Sequence, residues 1–285
     1  MQAYVMDAFS ARIFGGNQAG VALPDHPLED GLMQQIAAEF KHSETAFLTK
    51  NNDGSVNLRY FTPAGEVNLC GHATIASFAL LRSLGRIGDG VCLAHTRSGE
   101  LNITVRGDTV WMDMAPPNLL RTMTDEEAAE LYAAYGLTPD DCPAGYPVKL
   151  ITTGLADIML PVRDHETLMR AVQNEAAVTE LSRRYDCVGV HMFCPGGEDC
   201  TAYCSNFAPL YDIPEECATG TSNGALTYYL YQQGIVRPGE ENVFIQGEHM
   251  GRPSEIRSRL SVEGDTVLVR IGGRAVMSMS CDLKI

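Results

Sequence analysis

Cys70-Gly71-His72-Ala73-Thr74-Ile75-Ala76-Ser77-Phe78-Ala79-Leu80-Leu81-Arg82-Ser83-Leu84-Gly85 is a passage that the chain repeats in altered form. The second version reads Cys217-Ala218-Thr219-Gly220-Thr221-Ser222-Asn223-Gly224-Ala225-Leu226-Thr227-Tyr228-Tyr229-Leu230-Tyr231-Gln232-Gln233-Gly234. With Gly71 laid on Gly220, Gly85 falls on Gly234, and each copy follows a Phe-x-Pro triplet, Phe61-Thr62-Pro63 or Phe207-Ala208-Pro209. Between the glycines the residues are almost uncharged and rich in Ala, Leu and aromatics. A helix that is apolar nearly all round belongs inside a protein. A closing glycine suits the left-handed residue that ends many helices. The repeat therefore predicts two buried central helices, over 71–84 and 220–233, one in each half of the chain. Internal symmetry of this kind decides the fold.

Packing alone does not explain how the two helices begin. Gly71, His72, Ala73 and Thr74, like Gly220, Thr221, Ser222 and Asn223, are small or polar where a core helix could start with bulk. Short side chains leave the first-turn amides open, and the helix dipole favours a carboxylate or phosphate there. Two such ends facing each other would make a clamp for an anion.

Length and composition set the frame. The 285 residues fit one large domain or two ordinary ones, and the repeat favours two. With 45% hydrophobic and 20% charged residues, the chain can bury a substantial core. A net charge of -15 argues against nucleic acid and against an anionic membrane surface. No apolar run approaches the length of a membrane span, and the opening residues carry no secretory pattern. The nine cysteines include no Cys-x-x-Cys pair and no finger-type histidine spacing, so no metal is expected. They point to a reduced, cytoplasmic compartment in which most thiols act as small core residues.

In chain order, strands are expected at 3–9, after the turn at Gly15-Gly16, from Glu44 and at 57–61, with an amphipathic helix over 28–40. Further strands fall at 91–95, 101–105 and 109–114. Pro116-Pro117 is the clearest boundary. It divides a half made of residues 1–117 plus 275–285 from a half made of 118–274. Beyond it come a capped helix starting at Thr124, strand signals over 148–162, one or two helices within 164–184, strands at 187–193 and 200–207, and an all-β end. The class is α+β.

Three side chains stand out for chemistry. Glu44 is an acid in a small and apolar run, where desolvation would raise its pKa and suit it to move a proton near neutrality; a solvated strand-end glutamate is the plainer alternative. Cys70 and Cys217 stand at the entrances of the two repeat helices, where the dipole would favour thiolates; inert buried cysteines are the alternative. His72 and Glu216 flank them and could hold a substrate or orient a base, although a histidine can simply cap a helix. No phosphate loop, dinucleotide fingerprint, serine elbow or His-Glu-x-x-His is present, so no cofactor is expected. A carboxyl and two thiols around an anion clamp suit the movement of a proton on and off carbon beside a carboxylate.

Several motifs together resemble the PhzF family of phenazine-biosynthesis-like isomerases: Met6-Asp7-Ala8-Phe9, Gly16-Asn17-Gln18-Ala19, Ser43-Glu44-Thr45-Ala46-Phe47, Phe61-Thr62-Pro63, Cys70-Gly71-His72-Ala73-Thr74, Phe207-Ala208-Pro209, Thr219-Gly220-Thr221 and Gln246-Gly247-Glu248-His249-Met250-Gly251-Arg252-Pro253-Ser254. The resemblance implies the diaminopimelate epimerase-like fold, two pseudo-symmetric halves each with a curved sheet around a central helix, the site lying in the cleft, and a homodimer. It implies a cofactor-independent proton transfer with Glu44 as acid/base, helped by His72 and Glu216. A small carboxylate-bearing, amino-acid-like molecule would then be held by Asn17, Gly71, His72, Ala73, Glu216, Gly220, Thr221 and Ser222. The sequence departs from the family at Glu216-Cys217, where relatives usually carry an aspartate followed by a residue such as proline. Cys70 and Cys217 instead resemble the thiol pair of proline racemase and diaminopimelate epimerase. A two-thiol racemase is therefore the alternative, followed by a non-catalytic binding relative and by a hydrolase with a cysteine nucleophile and His72 as its base.

Overall fold

The computed structural model describes residues 1–285. In chain order its elements are β1 (Gln2–Ala8), β2 (Asn17–Leu23), α1 (Asp30–Phe40), β3 (Glu44–Lys50), β4 (Val56–Phe61), β5 (Glu66–Val67), α2 (Gly71–Ser83), β6 (Gly90–Thr96), β7 (Gly99–Arg106), β8 (Thr109–Asp113) and β9 (Asn118–Thr122). There follow α3 (Asp125–Ala133), β10 (Lys149–Thr152), β11 (Ala156–Pro161), α4 (His165–Arg170), α5 (Glu175–Arg184), β12 (Gly189–Pro195), β13 (Ala202–Ala208), β14 (Ile213–Glu216), α6 (Gly220–Gln232), β15 (Glu241–Gln246), β16 (Ser254–Glu263), β17 (Thr266–Gly273) and β18 (Ala275–Asp282). The chain forms two compact units, Met1–Asp113 with Gly272–Ile285, and Met114–Ile271. Met114 belongs to the second because its amide donates to the Val269 carbonyl at 2.9 Å.

In the first unit β1 pairs antiparallel with β18 and β2, β2 runs parallel to β3, β3 is antiparallel to β4, and β4 carries β5 antiparallel and β6 parallel before the β6–β7–β8 meander. The second unit repeats this grammar. There β10 pairs antiparallel with β9 and β11, β11 runs parallel to β12, β12 is antiparallel to β13, and β13 carries β14 antiparallel and β15 parallel before β16. α1 occupies the place in the first unit that α4 and α5 occupy in the second.

The central helices repeat most closely. Each has 13 residues and an extended N-cap, Cys70 at φ -140° and Thr219 at φ -130°. Each ends on a left-handed glycine, Gly85 at φ 66° and Gly234 at φ 74°. The amides two residues past the C-cap close back on the helix, Arg86 to the Leu81 carbonyl and Ile235 to the Leu230 carbonyl, in the Schellman arrangement. Packing, not propensity, holds α2: His72 to Leu81 are all buried. Phe78 is fully buried, and its truncation to Ala would cost about 3–5 kcal/mol.

Strands covered on both faces read as continuous apolar runs. In the first unit α1 sets Met33, Ile36 and Ala37 against Ala3, Ala22, Phe47 and Phe61, while α2 lies against β1, β2, β8 and β18. In the second unit α3, α4 and α5 pack Leu131, Tyr132, Leu168, Val178 and Leu181 onto Ile158, Leu160, Val190 and Met192. All nine cysteines are free. No helix is long and apolar enough to cross a membrane.

Candidate active site

β3 is aligned by its parallel pairing with β2, which sets Glu44 opposite Ala19. Asn17, buried at the start of β2, stands two residues upstream of that partner. α2 begins with Cys70 as N-cap, and its second residue, His72, is 5% exposed. These elements converge on one imidazole. His72 Nε2 lies 3.2 Å from Glu44 Oε2 and 3.4 Å from Ser43 Oγ. Cys70 Sγ lies 3.4 Å from His72 Nδ1 and 3.7 Å from Nε2. Gly71 and Ala73 flank His72 in the first turn.

Two of the electrostatic expectations are reversed. Burial pushes the Glu44 carboxyl up, but the His72 charge, with the polar groups of His72, Ser43 and Cys70 beside it, outweighs burial, and the group ends below its ordinary value. The Cys70 thiol is pushed up to about 11, first by burial and then by the Glu44 charge, so the helix dipole does not make it a thiolate. Burial pulls His72 down, yet its neighbours hold it well above its ordinary value. The resting pair is a carboxylate beside an imidazolium. Glu44 Oε2 is buried and receives no directed hydrogen bond. Its 3.2 Å contact with His72 is therefore electrostatic, off the line of the ring N–H, and the oxygen retains its accepting capacity.

The remaining candidates gather at the start of α6. Thr219, not Cys217, is its N-cap, so the helix repeat aligns Cys70 with Thr219 and leaves Cys217 two residues upstream. The two cysteines are not equivalent. Glu216 accepts a hydrogen bond from Thr219 Oγ1 at 2.8 Å, and its carbonyl accepts one from Gln246 Nε2 at 2.6 Å. The same Gln246 donates to Thr219 Oγ1 at 3.0 Å and accepts from Asn223 Nδ2 at 2.8 Å, tying β14 to α6. Gly247 follows at φ 87°, and a Cβ there would meet the Cys217 and Arg252 carbonyls at 2.7 Å each. Cys217 is buried. Gly220 is buried, and the carbonyl of Thr221 accepts from Thr153 Oγ1 at 2.8 Å.

Ser222 differs from its expected role. Its hydroxyl is buried and donates to Asp157 Oδ2 at 2.7 Å while accepting from Asn206 Nδ2 at 3.1 Å, so its oxygen is committed to the protein. Asn206 Nδ2 also donates to His191 Nδ1 at 3.2 Å. Burial pushes Asp157 up to about 7 against its hydrogen bond from Ser222, and pulls His191 down to about 3. Sequence reasoning missed this polar core. An aspartate or histidine inside an apolar strand gives no signal until the neighbouring strands are placed. Gln246 and Gly247 did have one, the Gln-Gly step of the longest quoted motif.

Residues 6–281 match the phenazine biosynthesis-like protein family, PhzC-PhzF. The chain belongs to that family. An uncharacterized isomerase, YddE, of Salmonella typhimurium is 32% identical over 88% of this chain and 86% of its own length. The PhzF-family phenazine biosynthesis protein of Bacillus anthracis superposes with a TM-score of 0.91 over 100% of this chain and 99% of its own, at 23% identity. A hydroxyproline epimerase from Agrobacterium vitis, solved with trans-4-hydroxy-L-proline, shares the fold at a TM-score of 0.63, covering 99% of this chain and 91% of its own at 14% identity. The fold is that of the diaminopimelate epimerase-like proteins, and the PhzF-family member described here is an isomerase.

Proposed function

We propose that this PhzF-family isomerase moves a proton at a carbon beside the carboxylate of a small, amino-acid-like substrate, with Glu44 as the acid/base. The observation that carries the reading is the buried, undirected Glu44 Oε2 beside His72. A base that is ionised at rest and has an open lone pair can accept a proton from carbon without first giving one up. His72 keeps the carboxylate charged through the approach. After transfer, the neutral carboxylic acid sits in a partly desolvated place that favours it, and it returns the proton to the same carbon or to a neighbouring one. The uncapped first turn of α2, at Gly71 and Ala73, is suited to hold the substrate carboxylate while the carbanion forms. The hydroxyproline bound by the Agrobacterium epimerase is a substrate of the proposed class.

The two-thiol alternative assigns the transfer to Cys70 and Cys217. The inequivalent placing of the cysteines and the high Cys70 pKa weigh against it. A homodimer of the 31.0 kDa chain belongs to the proposal and is checked by light scattering. The deciding experiment is incubation with a panel of amino acids and related carboxylates in deuterated water. Deuterium should enter at the carbon beside the carboxylate. Saturable binding without label would identify a non-catalytic relative, and covalent acyl-enzyme without label a hydrolase.

A further inference from the structure

One ring nitrogen stands between two oxygens. His72 Nε2 lies 3.2 Å from Glu44 Oε2 and 3.4 Å from Ser43 Oγ. The nearer oxygen receives no directed hydrogen bond, and the farther one makes the hydrogen bond. An imidazolium carries a hydrogen on each ring nitrogen, so at Nε2 the ring donates and the Ser43 oxygen accepts. The chain reaches this point through the turn that ends α1. Lys41 closes that helix in the left-handed region, at φ 55°, with its amide on the Ala37 carbonyl at 3.1 Å. Glu44 then opens β3 opposite Ala19. Ser43 falls between the two and is exposed, so its replacement leaves the core untouched.

We propose that Ser43 is a positioning residue for the proton transfer: its hydroxyl takes the Nε2–H of His72 and so keeps Glu44 Oε2 open to the substrate proton. The proposal rests on the reading of Glu44 as acid/base. A hydrogen bond weakens steeply off the line of its N–H, so a bond given to Ser43 is not given to Glu44. Without the hydroxyl, the N–H would turn to the acceptor already beside it, Glu44 Oε2. That bond would join two ions and be stronger than the one it replaces. The base would then hold a hydrogen where the substrate proton must arrive, and the bond would have to break in the transition state. In either orientation the imidazolium charge stays close to the carboxylate, and its attraction depends on distance and not on the N–H line. Ser43 thus lets His72 keep Glu44 ionised without occupying it.

Ser43→Ala tests the proposal in two readouts. One needs no substrate: in isotopically labelled, full-length protein, the Nε2 nitrogen signal of His72 is read by NMR through the non-exchanging ring protons and assigned by its loss in His72→Asn. In Ser43→Ala the signal should move downfield, as a hydrogen bond to a carboxylate replaces one to a hydroxyl. Ser43→Thr, which keeps an accepting oxygen, should return it. The other readout is deuterium wash-in with a panel substrate. Ser43→Ala should lower kcat by about tenfold or more, the scale of a hydrogen bond to a charged group, with KM little changed. Ser43→Thr should recover most of the loss. An unmoved nitrogen signal overturns the hydrogen bond. A moved signal with unchanged kcat overturns its role, and a raised KM with unchanged kcat makes Ser43 a substrate contact instead. If no panel carboxylate takes up label with the unsubstituted enzyme, the acid/base reading fails, while the nitrogen signal still decides the hydrogen bond, so the two failures are distinguishable.

Discussion

His72 Nε2 stands 3.2 Å from Glu44 Oε2, and each of the two groups helps to hold the other charged against the pull of burial. Burial alone would raise the carboxyl and lower the imidazole, disfavouring the charged form of each. Together they rest as ions. That state supplies a base ready to accept a proton from carbon.

Replacing Glu44 with Gln keeps its size and removes the ionisable carboxylate that can take a proton from carbon. Deuterium wash-in should fall on the order of a hundredfold or more, with substrate binding by calorimetry changed much less. A Glu44→Gln enzyme that retains near-normal wash-in would remove the acid/base assignment.

His72→Asn should move the acidic limb of the pH–rate profile upward. Without the imidazolium, the largest influence opposing burial is gone and the Glu44 carboxyl rises, so the ionised base is reached only at higher pH. The same pair shapes stability. Depressed Glu44 contributes stability above its unfolded pKa and loses it as pH falls through the folded value. Raised His72 contributes below its unfolded pKa and loses it as pH rises through the folded value. An unmoved limb in the variant would show that His72 does not set the charge of Glu44.

Cys217→Ala separates the two proton-transfer schemes. If Glu44 carries the transfer, wash-in should persist within about tenfold, a smaller loss than removal of a general base produces. Loss as large as that of Glu44→Gln would assign the transfer to thiols. Cys70 should alkylate slowly with iodoacetamide at pH 7, because its thiol is neutral and buried.

Much of this was legible because it is local or repeated. The glycines at 71, 85, 220 and 234 gave both buried helices, and Ser43-Glu44-Thr45 placed an acid at the mouth of a strand. β5, β9 and β14 were missed because they are short or exposed: β9 has four exposed residues in five and shows no alternation. The charge state of Glu44 was misread because it depends on a histidine 28 positions away, brought close by packing of α2. The cysteines looked equivalent by sequence order alone. The caps show that one begins its helix and the other precedes it. Asp157 was not anticipated at all, because its consequence arises from Ser222, Asn206 and His191 together.

Gly247→Ala should destabilise the second unit by roughly 1–3 kcal/mol, the usual cost of a side chain held in a left-handed backbone. The added methyl would also press on the Cys217 carbonyl at 2.7 Å. Denaturant titration reads the loss. A midpoint equal to that of the unsubstituted chain would show that the turn after β15 relaxes freely and does not fix Cys217.

Asp157→Asn tests the buried network under α6. The carboxyl is 1% exposed, and its pKa stands at about 7 against an ordinary 3.8. The folded state therefore binds a proton more tightly than the unfolded state does. Below about pH 4 both states are protonated and the folded protein bears no cost from this group. As the pH rises towards 7 the unfolded aspartate ionises first, and stability is lost until the folded group ionises too. The gap between the two values corresponds to about 4 kcal/mol, an upper bound because relaxation of the network reduces it. Asn cannot ionise, so the variant should gain on the unsubstituted protein by up to that amount between pH 4 and pH 8. Denaturant midpoints at steps across this range measure the difference. If the two proteins run parallel at every pH, Asp157 does not hold a proton in the folded state, and Ser222 is anchored by a carboxylate instead.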